Sequence, residues 1–91
     1  MRGRILVGRN IRRIRVAKGI AQERLAFDSG VDRSYLGGME RGEENPTVDV
    51  LDRVAATLAV PVAELLVESG VEGDLPSLPR GRKPKAKGTP D

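Results

Sequence analysis

The chain has 91 residues, enough for one domain and a tail, and a core of that size is thin, so added stability from dimerisation is expected. It contains neither Cys nor His, which removes disulfides, thiol nucleophiles, thiolate or imidazole metal ligands and histidine acid-base chemistry; no enzyme, metal or cofactor site is expected. The net charge of +3 is unevenly spread, with seven Arg/Lys and no acid over residues 1–18, four bases against twelve acids over 19–75, and five bases against one acid over 76–91.

The first helix is expected from Ile5 to Lys18. Val7, Ile11 and Ile14 fall at helical spacing as an inward stripe, and Gly19 is placed to end it. Arg9, Arg12, Arg13 and Arg15 take its other faces. A second helix is expected from Gln22 to Ser29 and a third from Asp32 to Arg41, joined by Gly30 and closed by Gly42. Gly30 can take the positive φ of a helix C-terminal turn without a Cβ penalty, and Asp32 stands where the next helix needs an N-cap. Leu25, Ala26, Val31, Leu36 and Met39 are apolar or small where two crossing helices must share a seam. The segment Gln22–Gly42 is therefore read as a helix-turn-helix.

Beyond the loop Glu43–Pro46, Thr47 is an expected N-cap for a fourth helix with Val48, Leu51, Val54, Ala55 and Leu58 as its apolar stripe. Pro61 opens a fifth helix carrying Val62, Leu65 and Leu66. Residues 1–70 are thus one all-α domain. No strand pattern, internal repeat or membrane-length apolar run is present, and a cytoplasmic location with no membrane partner is expected. Over 71–91, Gly, Pro and charge replace apolar periodicity, and such a segment is expected to be disordered. It includes Pro79-Arg80-Gly81-Arg82-Lys83-Pro84-Lys85, similar to a minor-groove AT-hook except that Lys83 interrupts the core. A DNA-reaching basic arm and a solubilising tail both stay open.

The segments IRRIRVAKGIAQERLA, GVDRSYLGGMERG and ENPTVDVLDRVAATLAVPVAELL resemble the Cro/CI type of helix-turn-helix domain, the XRE family, a five-helix lambda-repressor-like fold. YLGGMERGEENPTV is most similar to the small controller proteins of restriction-modification systems. The resemblance implies a dimeric, sequence-specific, nucleoid-associated regulator of transcription that binds double-stranded DNA at an inverted repeat near a promoter. A controller protein and a prophage or plasmid repressor are the forms it suggests, and contact with RNA polymerase follows if occupancy recruits it. An antitoxin-type autorepressor, or an interaction module that kept the fold without DNA binding, are the alternatives.

The N-terminal part of the second helix of such a motif enters the major groove, which assigns base readout to Arg33, Ser34 and Tyr35. Arg33 can donate two bonds to guanine O6 and N7. Tyr35 offers its hydroxyl to the backbone or its ring to thymine methyls, or packs against the fourth helix. Phosphate contacts are implied by resemblance for Gln22, Arg41 and Asn45, and for Arg15, which the same resemblance pairs with Glu40. Gly37 and Gly38 lie mid-helix at a cost of roughly 1 kcal/mol each. Gly38 occupies a position where relatives place a base-reading side chain. Glu43 and Glu44 would repel phosphate. Val50, Val62, Leu66 and Val67 exceed the inward stripes and either complete the core or form a two-fold dimer interface.

Overall fold

The computed structural model describes residues 2–68, and the expected tail over 71–91 lies outside them. Four α-helices and one 3-10 helix follow in order: α1 (Arg2–Ala17), α2 (Gln22–Ser29), α3 (Arg33–Glu40), α4 (Val48–Leu58) and the 3-10 helix (Val62–Leu66). No strand occurs among the described residues. No helix among them is long and apolar enough to cross a membrane.

The termini follow the local chemistry. Gly30 takes φ 72°, and its N-H and that of Val31 close on the last carbonyls of α2, Phe27 and Ala26. Asp32 caps α3 by accepting the Tyr35 N-H at 3.2 Å, and Thr47 caps α4 by accepting the Val50 N-H at 3.1 Å. Removing such a cap typically costs about 1 kcal/mol. Ala59 ends α4 at φ 61°, a conformation in which its Cβ is a burden.

The seam expected from the motif is the centre of the molecule. Ile11 of α1, Leu25 of α2, Leu36 and Met39 of α3, Val54 and Leu58 of α4 and Leu65 of the 3-10 helix are all essentially inaccessible to solvent. They join α1 to α3 and to the 3-10 helix, and α2 to α3 and α4. Burial of this apolar surface is the main favourable term in folding a chain this short.

Three expectations need correction. Helix α1 begins at Arg2, before Ile5, and Arg2 there pairs with Glu68 at 3.1 Å across two exposed side chains. The N-terminal segment carries no capping residue to mark this start. Val48 is 68% exposed, because the first residue after the cap reaches past the end of the core instead of joining the stripe. The fifth helix is a 3-10 turn in place of an α-helix. Pro61 before it is extended, the Glu64 N-H bonds the Pro61 carbonyl at 2.9 Å, and five residues are too few to offset α-helix nucleation. Its exit is held by Asn10, whose buried amide donates to the carbonyls of Leu65 (3.0 Å) and Val67 (2.8 Å).

Candidate nucleic-acid interface

Helix α3 is oriented by a buried ion pair at its C-terminal end. Arg15 Nε donates to Glu40 Oε2 at 2.7 Å and its Nη2 to Oε1 at 3.1 Å, while Nη1 donates to the Ile20 carbonyl at 2.9 Å. The Arg15 and Glu40 side chains are only 10% and 4% exposed. Hydrogen bonding to Glu40 raises the Arg15 pKa above its ordinary value despite the lowering effect of burial, so the guanidinium stays charged. A carboxylate in the last turn of a helix faces an unfavourable dipole, and Arg15 offsets it. The pair expected between these residues is therefore formed.

Gln22 belongs to the same network. Its Nε2 donates to Glu40 Oε1 at 3.1 Å, which ties the first residue of α2 to the last of α3. One amide hydrogen is spent in this bond, and an amide NH2 carries two.

Arg33 and Ser34 are exposed in the first turn of α3, just after the Asp32 cap. They line one open cleft of about 220 Å³ with Gln22, Gly37 and Arg41. Gly37 keeps its floor low: a Cβ there would meet Arg41 Nη1 at 3.2 Å and Gln22 Oε1 at 3.6 Å. The Arg41 Nε pairs with Glu43 at 3.1 Å, but both side chains are about 60% exposed, so the pair is weak and readily exchanged for another anion. The cleft lining holds two arginines and no carboxylate. It can present a bidentate donor, a hydroxyl, an amide and an exposed guanidinium to an anionic, hydrogen-bonding surface.

The structure thus brings together Gln22, Arg33, Ser34 and Arg41, four of the residues expected to touch DNA. Asn45 is exposed in the loop beyond Gly42 and does not line the cleft. Tyr35 is half-buried and packs against the core. For Arg15 the expected phosphate contact has no support in the geometry. The residue is 8% exposed and each of its three nitrogens already donates within the protein.

Of the expected dimer residues, Val50 and Val62 are half-buried against the core, Val67 is half-buried, and Leu66 leaves half its surface, 49%, in solvent.

Gly8, which supports this surface, and Asn10, which holds the exit of the 3-10 helix, carried little signal on their own. Gly8 lies where the backbone of α1 runs against the last carbonyls of α3, at Met39 and Glu40. Asn10 was detectable only as a polar residue beside an apolar stripe.

Known proteins share the sequence pattern and the fold. A family model described as helix-turn-helix matches residues 11–65. The transcriptional regulator SlrR of Bacillus subtilis is 48% identical over 61 residues, 66% of this chain but 40% of SlrR, so the chain spans less than half of that relative. Control protein C.BamHI of Bacillus amyloliquefaciens is 36% identical over 64 residues, covering 69% of this chain and 79% of that protein. Among solved structures, the restriction-modification controller protein C.AhdI from Aeromonas hydrophila superposes with a TM-score of 0.69 at 42% identity, over 71% of this chain and 98% of that one.

Proposed function

The chain belongs to the helix-turn-helix family matched over residues 11–65, and from that premise we propose that it is a sequence-specific, DNA-binding regulator of transcription. It binds an inverted-repeat operator as a dimer and acts by occupancy near a promoter, as a restriction-modification controller or a prophage or plasmid repressor. The similarity to C.AhdI and C.BamHI along most of their lengths supports the controller form. The observation that carries the reading is the exposed start of α3, where Arg33 and Ser34 share a cleft with Gln22 and Arg41. In this reading Arg33 and Ser34 reach base edges. Gln22, through its second amide hydrogen, Arg41, released from Glu43, and Asn45 hold phosphates. Residues 1–70 are the DNA-binding unit, 71–91 a basic extension, and the protein works in the cytoplasm, on the nucleoid. Contact with RNA polymerase would follow where occupancy activates.

Selection from a pool of random duplexes at near-physiological salt should enrich an inverted repeat with half-sites about one helical turn, or ten base pairs, apart. Arg33→Ala should then cost about 1–3 kcal/mol on the cognate site and relax preference at one base pair of each half-site. A domain that kept the fold only to bind proteins would enrich nothing and would be indifferent to the substitution.

The dimer is proposed to form through Leu66 with Val67, Val62 and Val50 around it. Leu66→Glu places a charge in that interface and should raise the dimer dissociation constant by at least tenfold in sedimentation equilibrium. An unchanged association constant would place the interface elsewhere.

A further inference from the structure

Gly38 and Glu44 are joined in space in a way that neither residue signals alone. The turn after α3 folds back, with the Glu43 N-H bonded to the Gly38 carbonyl at 2.9 Å. This lays the Glu44 side chain over the bare backbone of Gly38. A Cβ on Gly38 would lie 2.8 Å from Glu44 Cγ and 2.9 Å from its Oε2. The missing side chain of the helix is thus replaced in space by one that arrives from the loop. Gly38 stands one helical turn after Ser34 and so shares its face of α3. Glu44 is partly buried there, and among the described residues its carboxylate has neither an ion-pair nor a hydrogen-bond partner.

Resting on the DNA-binding function above, we propose that Glu44 is a specificity-determining residue, accepting a hydrogen bond from the exocyclic amino group of a cytosine in the major groove. A carboxylate is acceptor-only when ionised. Guanine presents two acceptors in that groove and thymine an acceptor and a methyl, all of which it rejects. Adenine sets an N7 acceptor beside its amino group, whereas cytosine presents the N4 donor alone. The same charge repels phosphates, so Glu44 lowers affinity on every duplex lacking that cytosine. Arg33 selects by attraction and Glu44 largely by exclusion.

The test is duplex selection followed by titration of single-position operator variants, for the wild-type chain and for Glu44→Ala, Glu44→Gln and Gly38→Ala. The wild type is expected to prefer cytosine at one symmetric position per half-site. Glu44→Ala should lose on the order of tenfold discrimination there while keeping the preference that Arg33 sets. Glu44→Gln should admit adenine at that position, because an amide can bond N6 and N7 together. Gly38→Ala, whose Cβ displaces the carboxylate, should shift preference the same way as Glu44→Ala. The proposal is overturned if Glu44→Ala keeps the wild-type preference, or if it only gains affinity equally on all duplexes, which would make Glu44 a source of repulsion alone. A wild-type chain that enriches no motif removes the DNA-binding function itself, and this proposal with it.

Discussion

Glu40→Ala is expected to destabilise the domain by about 3–5 kcal/mol, the cost of leaving a buried charge without its partner. The magnitude follows from what the substitution strands. Arg15, 10% exposed at its side chain, loses two of its three protein acceptors, and the Gln22 amide loses the acceptor that holds it. At roughly 4–8 °C per kcal/mol for a domain of this size, the midpoint of thermal unfolding should fall by well over 10 °C at fixed protomer concentration. Replacing both partners, Arg15→Met with Glu40→Leu, should recover most of the loss, since an apolar pair of similar volume needs no counter-charge. If the single and double variants melt alike, the pair is not what stabilises the junction. The exposed pairs Arg24–Asp28 and Arg2–Glu68 serve as controls, and breaking either should change stability by less than about 1 kcal/mol.

The Arg15–Glu40 pair also marks the boundary of what the sequence discloses. Its members are 25 residues apart, and no periodicity or spacing joins them; only resemblance to related chains did so. Local signals fared differently. Gly30, Asp32 and Thr47 act through bonds spanning a few residues, and the ends they define for α2, α3 and α4 are those the chain suggests. Where the outcome depended on distant packing, local reading misplaced it. Val48 obeys the helical stripe but lies past the edge of the core, which no spacing within its own helix discloses.

The same distinction explains the candidate site. The helix-turn-helix spacing identifies Arg33 and Ser34 because they follow directly from the cap and the helix start. It gives no reason for Gly37 and Gly38, which on propensity alone only weaken α3. The reason lies in side chains arriving from elsewhere. Gln22 and Arg41 lie against Gly37, and Glu44 lies against Gly38. Helix propensity is given up here to admit polar groups onto the exposed face of α3, and the buried network beneath keeps that face in place.

Gly8→Ala should be nearly as damaging as the loss of Glu40, although it adds a single methyl group to a helix in which Ala is the better helix former. At Gly8 a Cβ would sit 2.7 Å from the Glu40 carbonyl oxygen and closer still to that of Met39. Both obstacles are backbone, so no rotamer change relieves them. Either α1 and α3 separate, opening the core around Ile11, Leu36 and Met39, or the last turn of α3 distorts. Overpacking of this kind costs about 1–3 kcal/mol, and here the upper end is expected because the displaced turn also carries Glu40. Gly3 provides the contrast within the same helix: a Cβ there meets nothing within 4 Å. Gly3→Ala should therefore stabilise by roughly 0.5–1 kcal/mol, the ordinary gain of replacing glycine in a helix. Chemical denaturation of the two variants measures the difference directly. Equal and small effects would mean that α1 and α3 are not held as closely as Gly8 allows, whereas opposite signs would establish that this glycine sets the distance at which Arg15 reaches Glu40 and α3 is presented.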